Sequence, residues 1–198
     1  MRLLSPAEHR TMQWRNGLGV TTELARHPES PSGRLDRFHW RLSIAEVRSS
    51  GPFSHFPGCE RLLALVEGNG LTLRLADGAE FAVRAGSGFH AFSGDVDVTG
   101  ILIDGPIRDF NVIADRAHCD ATARMLRLFA PITIGANGPG THGAVHVLEG
   151  EIRAEGPGGK TAIPKSWTLL QVPGETYVLS GDGARVVLVT MKTKTAAL

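Results

Sequence analysis

Between Leu62 and Leu75 the sequence LLALVEGNGLTLRL sets an apolar run of strand length, a turn, and a second run that alternates at period two. Glu67-Gly68-Asn69-Gly70 supplies residues that accept positive φ, so the segment reads as a β-hairpin with one buried face. Just upstream, Gly51 to Arg61 is an irregular loop in which Pro52, Pro57 and two glycines carry Ser54, His55, Glu60 and Arg61. Such a loop presents polar side chains at the mouth of a β-barrel.

The flanking sequence continues in short strands. Phe38-His39-Trp40-Arg41-Leu42-Ser43-Ile44 alternates strictly, with Phe38, Trp40, Leu42 and Ile44 on one face and His39, Arg41 and Ser43 on the other. In a sandwich the polar face meets solvent, and in a ligand-holding barrel it lines the interior; both readings stand. Asn16-Gly17-Leu18-Gly19 before Val20-Thr21-Thr22 reads as a turn into an edge strand, since the full phosphate-loop patterns are absent. His27 to Asp36 is Pro/Ser/Gly-rich and reads as an exposed loop. Strands follow over Glu80–Val83, Phe89–Phe92, Val96–Asp104 and Phe110–Ile113, then within ITI, AVHVLEGEIRAEG, SWTLLQV, TYVLS and RVVLVTM, and Lys192–Leu198 reads as a frayed tail. Ala121–Phe129 fits both a helix and a strand; the alternation of Arg124, Leu126 and Leu128 favours strand. Short strands separated by Gly, Pro and Asp indicate an all-β sandwich or barrel.

Charge narrows the partners. Lys and Arg number 21 against 20 Asp and Glu, a net +1 with no basic cluster, which implies neither nucleic acid nor an anionic membrane. The N-terminal stretch has no apolar signal core and no window reaches the about 18 apolar residues of a spanning helix, so a cytoplasmic protein is expected. At 198 residues with 42% hydrophobic composition, one large or two small domains can build a core. Cys59 and Cys119 read as free thiols rather than a disulfide framework.

The two halves share a pattern. Leu63–Leu75 and Val145–Ala154 each hold an apolar strand, a Glu-Gly turn and a second strand, and each is followed by a strand and a Gly-Asp or Gly-Glu turn, at Gly94-Asp95 and Gly174-Glu175. A duplicated β-roll resembles the cupin barrel. The chain therefore looks like a bicupin: all-β, with two jelly-roll barrels from an internal duplication, at residues 1–116, where the ligand site is expected, and 117–198.

A narrower resemblance rests on five ordered motifs: Trp14-x-Asn16-Gly17-x-Gly19-Val20-Thr21-x-Glu23, Trp40-Arg41-Leu42-Ser43-x-Ala45, Gly51-Pro52-Phe53-Ser54-x-Phe56-Pro57-Gly58-x-x-Arg61, Phe92-x-Gly94-Asp95 and Asp109-Phe110-Asn111-Val112. In order and content they are similar to the HutD/Ves family, densely over residues 12–116. The resemblance implies a bicupin, often dimeric, tied in some bacteria to histidine utilisation and to an acid such as formylglutamate or urocanate.

Metal cupins use two histidines one residue apart, a later glutamate and then a glycine. Counted back from Gly68, this chain has His55, Pro57 and Arg61 in those places, and proline and arginine hold no cation. His142 and His146 stand about 13 Å apart on an extended strand. No metal or other cofactor is expected. Nucleophilic catalysis lacks its motifs, and a cofactor-free epimerase, which would want a His/Tyr pair, has only Tyr177, in the second repeat.

The resulting expectation is a non-enzymatic bicupin, homodimeric, that binds a small carboxylate in its N-terminal barrel; a cupin enzyme is the alternative. Arg61 and Arg41 would hold the carboxylate, Ser54, Asn16 and Thr21 would donate hydrogen bonds, Ser43 would join them on the polar face, and Phe53, Phe56, Trp40 and Phe92 would form the walls. A purely structural reading pairs Arg61 with Glu23, Glu60 or Asp95.

Overall fold

The hairpin at Glu67–Gly70 turns where only glycine fits. Gly68 has φ 98°, and a Cβ there would lie 2.7 Å from the Pro106 carbonyl oxygen. The structure, a computed structural model, describes residues 1–14, 17–29, 38–136 and 138–194. The strands in chain order are β1 (Arg2–Leu4), β2 (Arg10–Gln13), β3 (Gly19–His27), β4 (Trp40–Val47), β5 (Gly51–Pro52), β6 (Cys59–Glu67), β7 (Leu71–Leu75), β8 (Glu80–Val83), β9 (His90–Ser93), β10 (Val98–Leu102) and β11 (Ile107–Asp115). They continue with β12 (Cys119–Leu128), β13 (Ile132–Gly135), β14 (Thr141–Glu149), β15 (Glu151–Gly156), β16 (Gly159–Pro164), β17 (Thr168–Leu170), β18 (Thr176–Gly181) and β19 (Ala184–Thr193). Among the described residues the structure is all-β apart from a 3-10 turn at Pro6–Glu8, and no helix is long and apolar enough to cross a membrane.

The chain divides into two compact units, Arg10–Ala117 and Met1–His9 with His118–Leu198. In the first, a six-stranded sheet of order β2-β3-β4-β11-β6-β9 faces a four-stranded sheet of order β5-β10-β7-β8. Leu63, Leu65, Ala45, Val47 and Ile107 of the larger sheet cluster with Leu71, Leu73, Val83 and Val98 of the smaller. This cluster is the core of the unit. The second unit repeats the plan with sheets of order β1-β17-β14-β19-β12 and β13-β18-β15-β16 around Val145, Val147, Ile152, Leu169, Leu179 and Val186.

Long-range pairing, which no local pattern encodes, accounts for the departures from the sequence reading. Arg2–Leu4 pair with Thr168–Leu170, which joins the first nine residues to the second unit rather than to the barrel of residues 10–117. Val20–Thr22 lie in an interior strand, because β2 covers β3 and takes the edge. Ala121–Leu128 are strand, within β12, and pair along their length with β19. Gly159–Pro164, hidden by a turn-like Gly-Gly-Lys-Thr sequence, form a strand against β15. Lys192 and Thr193 are not frayed: they pair with Asp120 and Cys119. Of the loop read from His27, His27 ends β3 and residues 30–37 lie outside the described residues.

Candidate functional site: a buried arginine pair in the first unit

On β4, Ala45 and Val47 point into the core, so strand alternation turns Arg41 and Ser43 inward as well. The polar face of Phe38–Ile44 therefore lines the interior. Register aligns inward residues from neighbouring strands in rows: Glu23, Ser43, Asn111 and Leu63 in one, and Arg41, Ile113, Arg61 and Phe92 in the next. Asp109 occupies the row below Asn111, between Ala45 and Leu65. This order is why these six polar side chains, carried by four strands, meet inside the unit.

Arg61 is 6% exposed and is enclosed by three rings, its guanidinium carbon 5.2, 5.4 and 4.9 Å from the centroids of Phe53, Phe56 and Phe92. Nη1 donates to the Ser54 carbonyl at 3.3 Å and Nη2 donates to Asn111 Oδ1 at 2.8 Å. Asn111 in turn donates through Nδ2 to Asp109. Arg41, also 6% exposed, stands 5.7 Å from the Phe56 centroid and brings Nε within 3.4 Å of Glu23 Oε2. Gly100 gives Phe53 its place, since a Cβ there would come within 2.5 Å of the ring. Phe38, Cys59 and Ile113 form the adjoining apolar wall with Phe56.

Burial works against the charges of Asp109, Arg61 and Arg41. It pushes the Asp109 carboxyl up to about 7 although Arg61 and Asn111 favour the ionised form. It lowers Arg61 to about 10, which leaves that guanidinium charged at neutral pH, and it lowers Arg41, where Glu23 acts in the opposite sense. The Nε of Arg41, the Nε of Arg61 and Oδ2 of Asp109 are buried and make no hydrogen bond; for Arg41 the Glu23 oxygen is at ion-pair distance but outside hydrogen-bonding geometry.

The loop over this cluster is pinned from outside. Phe56 N–H donates to the Gly94 carbonyl at 2.9 Å, Gly94 N–H to the Cys59 carbonyl at 2.8 Å, and Gly58 N–H to Asp95 Oδ1 at 2.7 Å. Arg116 bridges Asp95 and the Cys59 carbonyl. The Gly58 amide, with Arg116 and Ser93, holds the Asp95 carboxyl down at about 2. His55 Nε2 lies 2.5 Å from Asp97 Oδ1.

The residues singled out on sequence separate into three groups. Arg61, Arg41, Ser43, Phe53, Phe56 and Phe92 come together, and Ser54 joins through its backbone carbonyl while its side chain stays exposed. Thr21 lies one row away, opposite Ala45, and accepts from Trp14 Nε1 at 2.8 Å. Alternation turns Trp40 to the opposite face of β4 from Arg41, where it stacks on His27. Asn16 lies outside the described residues. The partners offered for a structural Arg61 also change, because Glu23 goes to Arg41 while Asp95 and Glu60 go to Arg116. Asn111 and Asp109 were not assigned to the site, yet the motif Asp109-Phe110-Asn111-Val112 places them on one strand face and was the available signal.

The donor set does not fit a metal ion. A guanidinium stands where a metal cupin has its acidic ligand, His55 turns to Asp97, and among the described residues no three His, Cys, Asp or Glu side chains gather to hold a cation.

The HutD family model matches residues 6–189. The chain belongs to the HutD family. Among HutD relatives, an uncharacterized 21.2 kDa protein in the hutC 3′ region of Pseudomonas putida is 42% identical over 113 residues, 57% of each chain, so the match spans little more than half of that protein. Protein Ves of Escherichia fergusonii is 37% identical over 139 residues, 69% of this chain and 67% of that one. The crystal structure of a conserved protein of unknown function from Pseudomonas aeruginosa PAO1 superposes with TM-score 0.86 at 33% identity, covering 96% of this chain and 98% of that one. A cupin 2 conserved barrel domain protein from Leptotrichia buccalis, at 10% identity and TM-score 0.58 over 93% of this chain and 96% of its own, shows that the HutD fold here is a cupin fold.

Proposed function

We propose that this chain is a binding protein whose first unit holds a small carboxylate against Arg61 and Arg41, and that it regulates or buffers histidine utilisation without catalysing a step. The observation that carries the reading is the pair of buried guanidiniums, each with an Nε–H that makes no hydrogen bond, beside one aromatic ring. A buried donor without an acceptor is disfavoured by about 1–3 kcal/mol, and a carboxylate supplies acceptors to both. The histidine-utilisation context is supported by the Pseudomonas putida relative, described as lying in the hutC 3′ region. The same reading puts the protein in the cytoplasm as a homodimer.

Calorimetric titration with formylglutamate, urocanate, glutamate and formate tests it. One of these acids binds the wild type with unit stoichiometry, and Arg61→Lys weakens that binding. Failure of all four to bind removes the ligand class.

A catalytic reading has one observation in its favour, the pairing of His55, on the loop that carries Ser54, with Asp97 from the turn before β10. Proton NMR of the acid incubated with the protein separates the two. The binding reading leaves the acid unchanged, and turnover that depends on His55 establishes an enzyme.

A further inference from the structure

Asp109 sits at the dry end of the polar cluster. It is 0% exposed, its strand neighbours Ala45 on β4 and Leu65 on β6 are apolar, and those neighbours cluster with Leu71 and Leu73 of the facing sheet. One carboxyl oxygen accepts from Asn111 and the other has no hydrogen-bond partner. Among the described residues, the charged groups on the inner face are Arg61 on β6, which reaches Asp109 through Asn111, Arg41 on β4, and Glu23 and Arg26 on β3, with Arg26 opposite Arg41 and over the Phe38 ring; Ser43, opposite Asn111, is uncharged. No cation touches Asp109 directly among the described contacts.

We propose that the first unit takes up its anion together with a proton, the proton resting on Asp109, so that the ligand is held at acidic pH and released as the pH rises. The inference rests on the carboxylate reading above. Arg61 supplies the field that draws Asp109 toward its ionised form, and Asn111 relays it, accepting from Arg61 and donating to Asp109. An anion seated on Arg61 cancels much of that field. Asp109 then binds its proton more tightly, and by reciprocity a proton on Asp109 strengthens anion binding. The proton comes from solvent, and the only bond made is the carboxyl O–H. Burial already brings this carboxyl to about 7 in the free protein, so the exchange falls in the neutral range.

Formylglutamate is a suitable probe, because ordinary carboxyl groups stay ionised from about pH 5.5 upward. Its dissociation constant, measured by calorimetry between about pH 5.5 and 8.5, is expected to be flat in acid and to rise above neutrality toward a limiting slope of about tenfold per pH unit, the signature of one proton. Titrations near pH 7 in two buffers of different ionisation enthalpy should show net proton uptake. Asp109→Asn, which keeps the shape and cannot ionise, should bind with little dependence on pH. If that variant does not fold, proton uptake by the wild type still decides. Binding to the wild type that is independent of pH, with no proton uptake, overturns the inference and leaves the carboxylate site standing. Absence of binding at every pH removes the site and the inference together.

Discussion

Arg41 and Arg61 share one ring: both guanidiniums lie over Phe56, at 5.7 and 5.4 Å from its centroid, and both residues pair across β11 with the same residue, Ile113. Two like charges brought this close inside a protein are unfavourable without an anion or an aromatic face between them. Phe56 supplies the face, and the proposed ligand supplies the anion.

Replacing Arg61 tests the anchor. Arg61→Lys keeps the charge but loses the planar fork and the Nε donor, and should weaken carboxylate binding about 10- to 150-fold, the equivalent of one charge-assisted hydrogen bond of about 1.5–3 kcal/mol. Arg61→Ala should nearly abolish binding and also lower the melting temperature, since it empties a position packed by three rings and strips Asn111 of its donor. Titration and thermal melts of both variants give the two readouts. Equal affinity in Arg61→Lys places the ligand elsewhere.

Removing the shared ring should act on both arginines at once. Phe56→Leu retains apolar bulk and loses two cation–π contacts of about 0.5–2 kcal/mol each, so a loss of about 1–4 kcal/mol in stability is expected by chemical denaturation. Carboxylate affinity should fall with it. An unchanged denaturation midpoint and affinity would show that the ring does not support the pair.

The pH dependence of stability follows from Asp109. Its folded value of about 7 exceeds the ordinary 3.8, so between those values the folded state holds a proton that the unfolded chain has lost. Stability from this group is therefore full in acid and declines as pH rises through that window. Asp109→Asn lacks this loss, and its melting temperature should gain on the wild type progressively from pH 4.5 to 8. Parallel curves over that range would mean that Asp109 stays ionised in the fold.

How far the sequence discloses this site depends on the kind of information each residue carries. The hairpin through Leu62–Leu75 is legible because its turn needs glycine and its second strand alternates, and Arg61 stands out because it replaces an acidic ligand in a recognisable spacing. Asp109 and Asn111 are harder to find. Their strand reads as an apolar run through Phe110, Val112 and Ile113, and their place beside Arg61 is decided by the pairing of β11 with both β4 and β6. Trp40 alternates with Arg41, so the face that brings Arg41 to the cluster sends Trp40 to His27 on the other side of β4. Strands such as Arg2–Leu4 take their identity from a partner more than 160 residues away, which local composition does not contain.

The loop over the arginines should depend on Asp95. Its carboxylate accepts from the Gly58 amide and from Arg116, and these bonds are lost as pH falls through about 2. Asp95→Ala removes them at neutral pH. Amide hydrogen exchange should then quicken at Gly58 and Cys59 while the core strands keep their protection. Unchanged exchange at Gly58 would show that the loop is held without Asp95.

Association is tested by light scattering. The proposed homodimer predicts twice the chain mass of 21.2 kDa over a range of concentrations, and a single-chain mass throughout contradicts it.

The most direct measurement is a crystal structure of the protein grown with formylglutamate. A carboxylate should appear in the first unit within about 2.7–2.9 Å of nitrogens of Arg61 and Arg41, beside Phe56 and with Asn111 still bonded to Arg61. A fully occupied ligand bound away from both arginines, or held only in the second unit, would contradict the carboxylate site.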